Sequence, residues 1–139
     1  GNYYALLFIT SNLYGLDKMV EAKWKLDPIK GKGFSQKKAP SLFDDHFEEI
    51  DHNRELDFLK AQITIALKGR MLSNNDIYEL TLMNEFRPTH AKTAIDGLIK
   101  SKKIDTCNEK GDHVANGGAY YLEYKHFKNR ENKIYFKLI

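Results

Sequence analysis

From about Leu56 onward, apolar positions recur first at helical and then at strand spacing. Their order predicts helix, helix, turn, helix, strand, long loop, strand. Leu56, Leu59, Ile63, Ala66 and Leu67 form the buried stripe of a helix near Asn53–Lys68, closed by Gly69. Ser73-Asn74-Asn75-Asp76 has the Ser-x-x-Asp form, in which hydroxyl and carboxylate satisfy backbone N–H groups reciprocally. A second helix is therefore expected over 74–83, with Ile77, Leu80 and Met83 inward. The turn Asn84–Pro88, with Phe86 plugging the core beneath it, leads to a third helix over 89–101. Thr89 is its expected N-cap, and Ala91, Ala94, Ile95, Leu98 and Ile99 its inward stripe. Alternation predicts strands at 103–107 and 133–139. A further strand within Ala119–Phe127 would make a hairpin with the last one. This element order is that of an α+β winged helix-turn-helix domain spanning 54–139.

The first third of the chain follows another pattern. Tyr3–Thr10 is a continuous apolar and aromatic run, suited to a buried strand at Tyr4–Ile9. A helix is expected at Gly15–Lys25, with Leu16, Met19, Val20, Lys23 and Trp24 on one side and Trp24 as a core anchor. Asp27-Pro28 stops it, because proline disfavours helical geometry in the residue before it. Residues 1–28 thus read as a strand–helix appendage, and 29–53 as a linker or loop. The linker is rich in Gly, Lys, Pro and Ser and ends in an acidic turn, 44–52, that precedes the next helix.

Composition narrows the chemistry. With 139 residues and 42% hydrophobic positions, the chain can bury one core. It has no apolar run long enough for a transmembrane helix. The single cysteine, Cys107, excludes an internal disulfide framework and fits a reducing, cytoplasmic setting. It falls on an expected strand and reads as a structural thiol, with His113 nearby but unoriented. His46 and His52, within Asp44–His52, lie six apart and match no metal-ligand spacing, so no metal or other cofactor is expected. Gly31-x-Gly33 follows a helix break in a Lys-rich loop rather than a strand, so it is no dinucleotide loop. A catalytic role for this chain is not expected. Net charge is only +3, but it is segregated: 44–57 carries seven acidic and one basic side chain, whereas 58–139 carries fourteen basic and nine acidic.

The third helix would present Thr89, Lys92, Thr93, Asp96 and Lys100 outward. Lys92, Thr93 and Lys100 would face a nucleic-acid groove and its rims, with Arg87 and Thr89 at the phosphate-facing N-terminus. Lys125, His126, Lys128, Arg130 and Lys133 would make a basic wing, interleaved with Tyr120, Tyr121, Tyr124 and Phe127. Those rings either stack on unpaired bases or simply pack the sheet. Asp96 opposes phosphate from the centre of the helix face. The expected function is nucleic-acid binding, with DNA as the ligand. Protein docking remains the alternative, since fold alone does not decide function.

Two passages also carry a resemblance. Tyr4-Ala5-Leu6-Leu7-Phe8-Ile9-Thr10-Ser11, followed by Gly15-Leu16-Asp17-Lys18-Met19-Val20-Glu21-Ala22-Lys23-Trp24-Lys25-Leu26-Asp27-Pro28, resembles the three-Cys-motif partner proteins. There, a similar passage closes a methyltransferase-like domain and a winged helix follows. The long stretch between the last two strands departs from that pattern. The resemblance implies a bacterial or phage protein whose partner is a radical-SAM-like protein with clustered cysteines. It also implies that the methyl-donor site lies in a preceding domain. Gly1 in place of Met fits a fragment, and the strand at 4–9 would then pair with a neighbouring chain in a homodimer or fold back on the winged helix.

Overall fold

The structure is a computed structural model that describes residues 13–26 and 44–139, with side chains described at 13–26 and 53–139. The expected strand at Tyr4–Ile9, with the pairing expected of it, lies outside the described residues. The elements are α1 (Leu13–Leu26), α2 (Asp44–Ala66), β1 (Leu72–Ser73), α3 (Asn74–Met83), α4 (Pro88–Lys100), β2 (Ile104–Cys107), α5 (Tyr124–Lys128) and β3 (Tyr135–Leu138). The architecture is α+β: a helical layer on a small antiparallel sheet of order β1-β3-β2.

Helix α2 begins at Asp44, not near Asn53, so the stretch read as an acidic turn is helical. No Gly or Pro interrupts 44–66, so the sequence there holds nothing that stops a helix. Further along, Leu59, Ile63 and Leu67 are fully buried against α4. Ser73 and Asp76 form the expected capping box of α3: Asp76 N donates to Ser73 Oγ at 3.2 Å, and Ser73 N to Asp76 Oδ2 at 3.0 Å. The buried stripe of α3 runs through Asn74, Ile77, Tyr78, Thr81 and Leu82, while Met83, expected inside, is exposed. Tyr78 tolerates full burial because its hydroxyl donates to Asp17 of α1.

Helix α4 starts one residue earlier than expected, and its N-cap is Arg87 rather than Thr89. Pro88 at the first helical position has its φ pre-set for the helix and no N–H to leave unsatisfied. Arg87 N donates to His90 Nδ1 at 3.1 Å. Ala91, Ala94, Ile95 and Leu98 are buried as expected.

The sheet pairs Leu72 with Phe136 and Thr106 with Phe136 from opposite sides, so β3 is central. The two residues of β1 are too few to show alternation, which is why the sequence pattern missed it. Between β2 and β3 the chain makes no further strand. The segment expected to pair with the last strand instead forms α5, packed against α3 and α1. Tyr124 meets Tyr14 at 5.1 Å and Phe127 meets Tyr78 at 6.0 Å between ring centroids, a helical i,i+3 pair seeking the helical layer.

Candidate functional site

The turn that aims α4 is built from a helix end. After α3, Glu85 adopts φ +63°, Glu85 N donates to Leu82 O at 2.9 Å and Phe86 N to Thr81 O at 3.0 Å. This is a Schellman termination with Phe86 folded back into the core. Helix α1 braces it. Trp24 Nε1 donates to Glu85 O at 2.8 Å, Lys23 Nζ to Glu85 Oε1 at 2.7 Å, and the buried indole lies 4.2 Å from the His90 ring. Trp24 is thus the core anchor expected of it.

On α4 the structure brings Thr89, Lys92, Thr93, Asp96 and Lys100 to one exposed face. Their charges are not equally free. Lys92 Nζ lies 3.6 Å from Asp96 Oδ2, and Tyr120 donates its hydroxyl to Asp96 Oδ1. Burial, and then that bond to a carboxylate, pushes the Tyr120 phenol well above its usual range. Thr93 Oγ1 donates to Thr89 O at 3.1 Å. Arg87 leans on Glu21 of α1 at 3.7 Å, and the same Glu21 is held below the ordinary carboxylate range by Lys25 first and Lys18 second. Among the described residues Lys100 has no carboxylate partner.

The wing differs from the expected hairpin. After β2 the chain turns at Asn108–Asp112 and returns beside β2, where Val114 N donates to Thr106 O at 3.1 Å. It then crosses to α4. The Tyr120 ring packs 5.8 Å from Phe136, and residues 118–123 form one wall of a cleft whose other wall is Pro88, Thr89 and Lys92. Lys125 and Lys128 lie on α5 and Arg130 just after it, so the three sit on the helical layer rather than at a hairpin tip. Lys125 pairs with Glu123 at 3.6 Å, whereas Lys128 and Arg130 are exposed and have no carboxylate partner among the described residues. Of the four aromatics in this region, Tyr120 is buried, Tyr124 and Phe127 pack inward, and only Tyr121 is exposed. Packing on the sheet therefore holds for Tyr120 alone, while Tyr124 and Phe127 pack on the helical layer against Tyr14 and Tyr78.

Two buried asparagines fix this path. Asn74 Nδ2 donates to Tyr121 O at 3.0 Å and Glu131 O at 3.2 Å, while Asn74 Oδ1 accepts from Lys133 N at 2.9 Å. Asn75 Nδ2 reaches His126 O at 3.3 Å, Glu131 O at 3.1 Å and Asn132 Oδ1 at 3.1 Å. The nearby His126–Glu131 pair, at 2.8 Å, holds the Glu131 carboxyl below its ordinary range.

Cys107 is fully buried, its Sγ 3.6 Å from Met71 Sδ, and burial pushes the thiol up, away from the thiolate a nucleophile needs. His113 does have an orienting group that the sequence did not reveal: Asp105 Oδ1, 2.7 Å from its Nδ1. The 44–52 histidine–carboxylate segment has no described side chains.

A second cluster escaped the sequence reading. A groove between α2 and the end of α4 is lined by Asp57, Lys60, Ala61, Thr64, Ile65, Lys68, Gly97, Leu98, Ser101 and Lys103. Its lysines come from two distant segments, so no spacing rule joins them.

A profile of the GMT-like wHTH domain matches residues 32–111. No curated protein and no solved structure matches the chain. The match runs through α2, the helix-turn-helix and β2, and it ends in the first turn of the long connection that departs from the expected wing. Covering more than half of the 139 residues, it shows the family: the chain belongs to the GMT-like wHTH domain family, the winged-helix region of three-Cys-motif partner proteins.

Proposed function

We propose that this domain is a non-catalytic nucleic-acid-binding module whose ligand is duplex DNA, read by the outward face of α4. The observation that carries the reading is the solvent-open stripe Thr89, Thr93 and Lys100 on a helix whose opposite face is core. Small hydroxyl side chains flanked by a cation suit base edges and phosphates. The objection from Asp96 is weakened, because Lys92 and the Tyr120 hydroxyl already engage its charge. Lys128 and Arg130 supply further uncommitted cations. In this reading the chain works in the cytoplasm beside a methyltransferase-like domain and a radical-SAM-like partner. Among the described residues no helix is long and apolar enough to cross a membrane.

Docking of that protein partner is the second reading. It is favoured by one observation: Arg87, Lys92 and Lys125, three of the expected phosphate contacts, are already paired with carboxylates. A binding titration against duplex and single-stranded DNA and RNA at several salt concentrations separates the two. Nucleic-acid binding predicts that Lys92→Glu with Lys100→Glu weakens binding to every sequence, lowering the salt slope by roughly one per lost contact. Asp96→Asn, which keeps an acceptor for Tyr120 and releases Lys92, should tighten it. A slope near zero for the unmodified chain would sink the nucleic-acid reading, and normal affinity in the double variant would remove α4 from the interface.

A further inference from the structure

The groove between α2 and the C-terminal half of α4 collects cations that no carboxylate among the described residues engages, in contrast to α1 and the start of α4. On α1, at Arg87, and at Lys92, Lys125 and Lys133, every described cation lies within 4 Å of a carboxylate. Lys60, Lys68 and Lys103 line the groove, and Lys100 and Lys102 flank it. None of these five has a carboxylate partner among the described residues. The helix dipole accounts for lysines near the end of α4 in part, since its C-terminus favours cations. It does not account for Lys60, which lies mid-helix on α2. Its ammonium lies against α4: a Cβ placed on Gly97 would come 2.9 Å from Lys60 Nζ. A glycine there lets a cation from α2 rest on the surface of α4, one turn from Lys100. Asp57 is the one acidic residue in the lining.

We infer that Lys60, Lys68 and Lys103 form a phosphodiester-binding track that continues the α4 face, so that a nucleic-acid backbone runs along the α2–α4 groove. This inference rests on the nucleic-acid reading and adds to it a path that leaves the Arg87 end of α4, where the cations are spent on Glu21 and Asp96, for the Lys100 end. The contact is to backbone rather than bases. Ammonium groups on flexible stems read phosphate as point charges, and they carry the contact alone, since the Thr64 and Ser101 hydroxyls on the groove floor already donate to Lys60 O at 2.8 Å and Gly97 O at 2.9 Å. Three contacts of this kind would contribute roughly 2.7 to the salt slope on duplex DNA, at about 0.9 each.

The test is an anisotropy titration of the full chain with a labelled 20-base-pair duplex over a range of salt concentrations. Lys60→Gln/Lys68→Gln/Lys103→Gln is compared with Lys18→Gln/Lys25→Gln, which removes two cations from α1. Circular dichroism and a thermal melt of each variant verify the fold, and Lys68→Gln/Lys103→Gln, at two exposed positions, serves if the triple variant is unstable. The expected result is at least a tenfold loss of affinity at low salt and a slope reduced by two to three in the triple variant, by about two in the double groove variant, with the α1 variant unchanged. Wild-type affinity and slope in a folded groove variant overturn the track while leaving the nucleic-acid reading intact. No binding by the unmodified chain overturns both. Displacement of the duplex by a polyglutamate peptide of matched charge, as effectively as by unlabelled duplex, assigns the groove to an acidic protein and also overturns the inference.

Discussion

At the scale of single residues, helix ends in this domain turn on side chains that ordinarily avoid left-handed geometry. Glu85, Lys102 and Arg130 have φ of +63°, +58° and +55°, each at the position after a helix C-cap. At Lys102 the bonding is complete: Lys102 N donates to Ile99 O and Lys103 N to Leu98 O, both at 2.9 Å. A Cβ in this region costs about 1 kcal/mol or more, and glycine removes that cost at some loss of chain entropy. Lys102→Gly should therefore raise unfolding stability by roughly 0.5–1 kcal/mol in a urea titration. A loss of stability would mean that the lysine side chain contributes more than its backbone strain costs. Glu85 is a different case, because its carboxylate holds Lys23 and its carbonyl holds the Trp24 indole, so the strained position also fastens α1 to the helix-turn-helix.

Among the elements, the connection from β2 to β3 departs furthest from a simple winged helix, and its order depends on α3. Asn74 and Asn75 use their side chains to bind carbonyls of Tyr121, His126 and Glu131, a task that in a β-hairpin wing would fall to a strand ladder. Because Asn74 is fully buried, Asn74→Ala takes the side-chain partner from the Tyr121 carbonyl and the Lys133 N–H, while the Glu131 carbonyl keeps Asn75. The expected cost is about 2 kcal/mol, at about 1 kcal/mol or more per abandoned group. Hydrogen exchange should then accelerate over 119–134 while α4 amides keep their relative protection. Uniform loss of protection across the domain would show instead that the connection and the helical layer unfold as one unit.

For the whole molecule, two buried tyrosines tie the layers together and set an alkaline limit. Tyr78 joins α3 to α1 through Asp17, and Tyr120 joins the connection to α4 through Asp96. Burial first, and the carboxylate partner second, raises both phenols above their ordinary pKa. A group whose pKa is higher folded than unfolded contributes its full stability below the unfolded value, about 10 for tyrosine, and loses it as pH rises beyond. Stability should therefore hold to about pH 10 and fall above it, and of the eight tyrosines at least two should ionise only as the fold is lost. An ultraviolet pH titration in which all eight ionise with ordinary midpoints while circular dichroism is unchanged would refute this. The acid side has the opposite sign: Glu131, depressed by His126, contributes above the ordinary carboxylate range and loses that contribution as pH falls through its lowered value.

Because local period and caps act within about four residues, the sequence by itself determined α1, the three helices of the helix-turn-helix region and most of their buried faces, though not the first turns of α2 or the short α5. The stripes Leu59/Ile63/Leu67 and Ala91/Ala94/Ile95/Leu98, the Ser73–Asp76 box and the core role of Trp24 were all legible, and with them the winged-helix order. The α3 stripe was legible only in part, as Tyr78 could go inside only with Asp17 sixty-one residues away to accept its hydroxyl hydrogen bond. Partners at that distance leave no trace in spacing. Only the tertiary structure decided that Arg87 and Lys92 are engaged by Glu21 and Asp96, that Tyr120 closes on α4, and that Lys60 and Lys103 share a groove. The physical reason is one of range: periodicity and capping are set by neighbours along the chain, whereas the electrostatic state of a cation is set by whichever carboxylate the packing brings within a few ångströms.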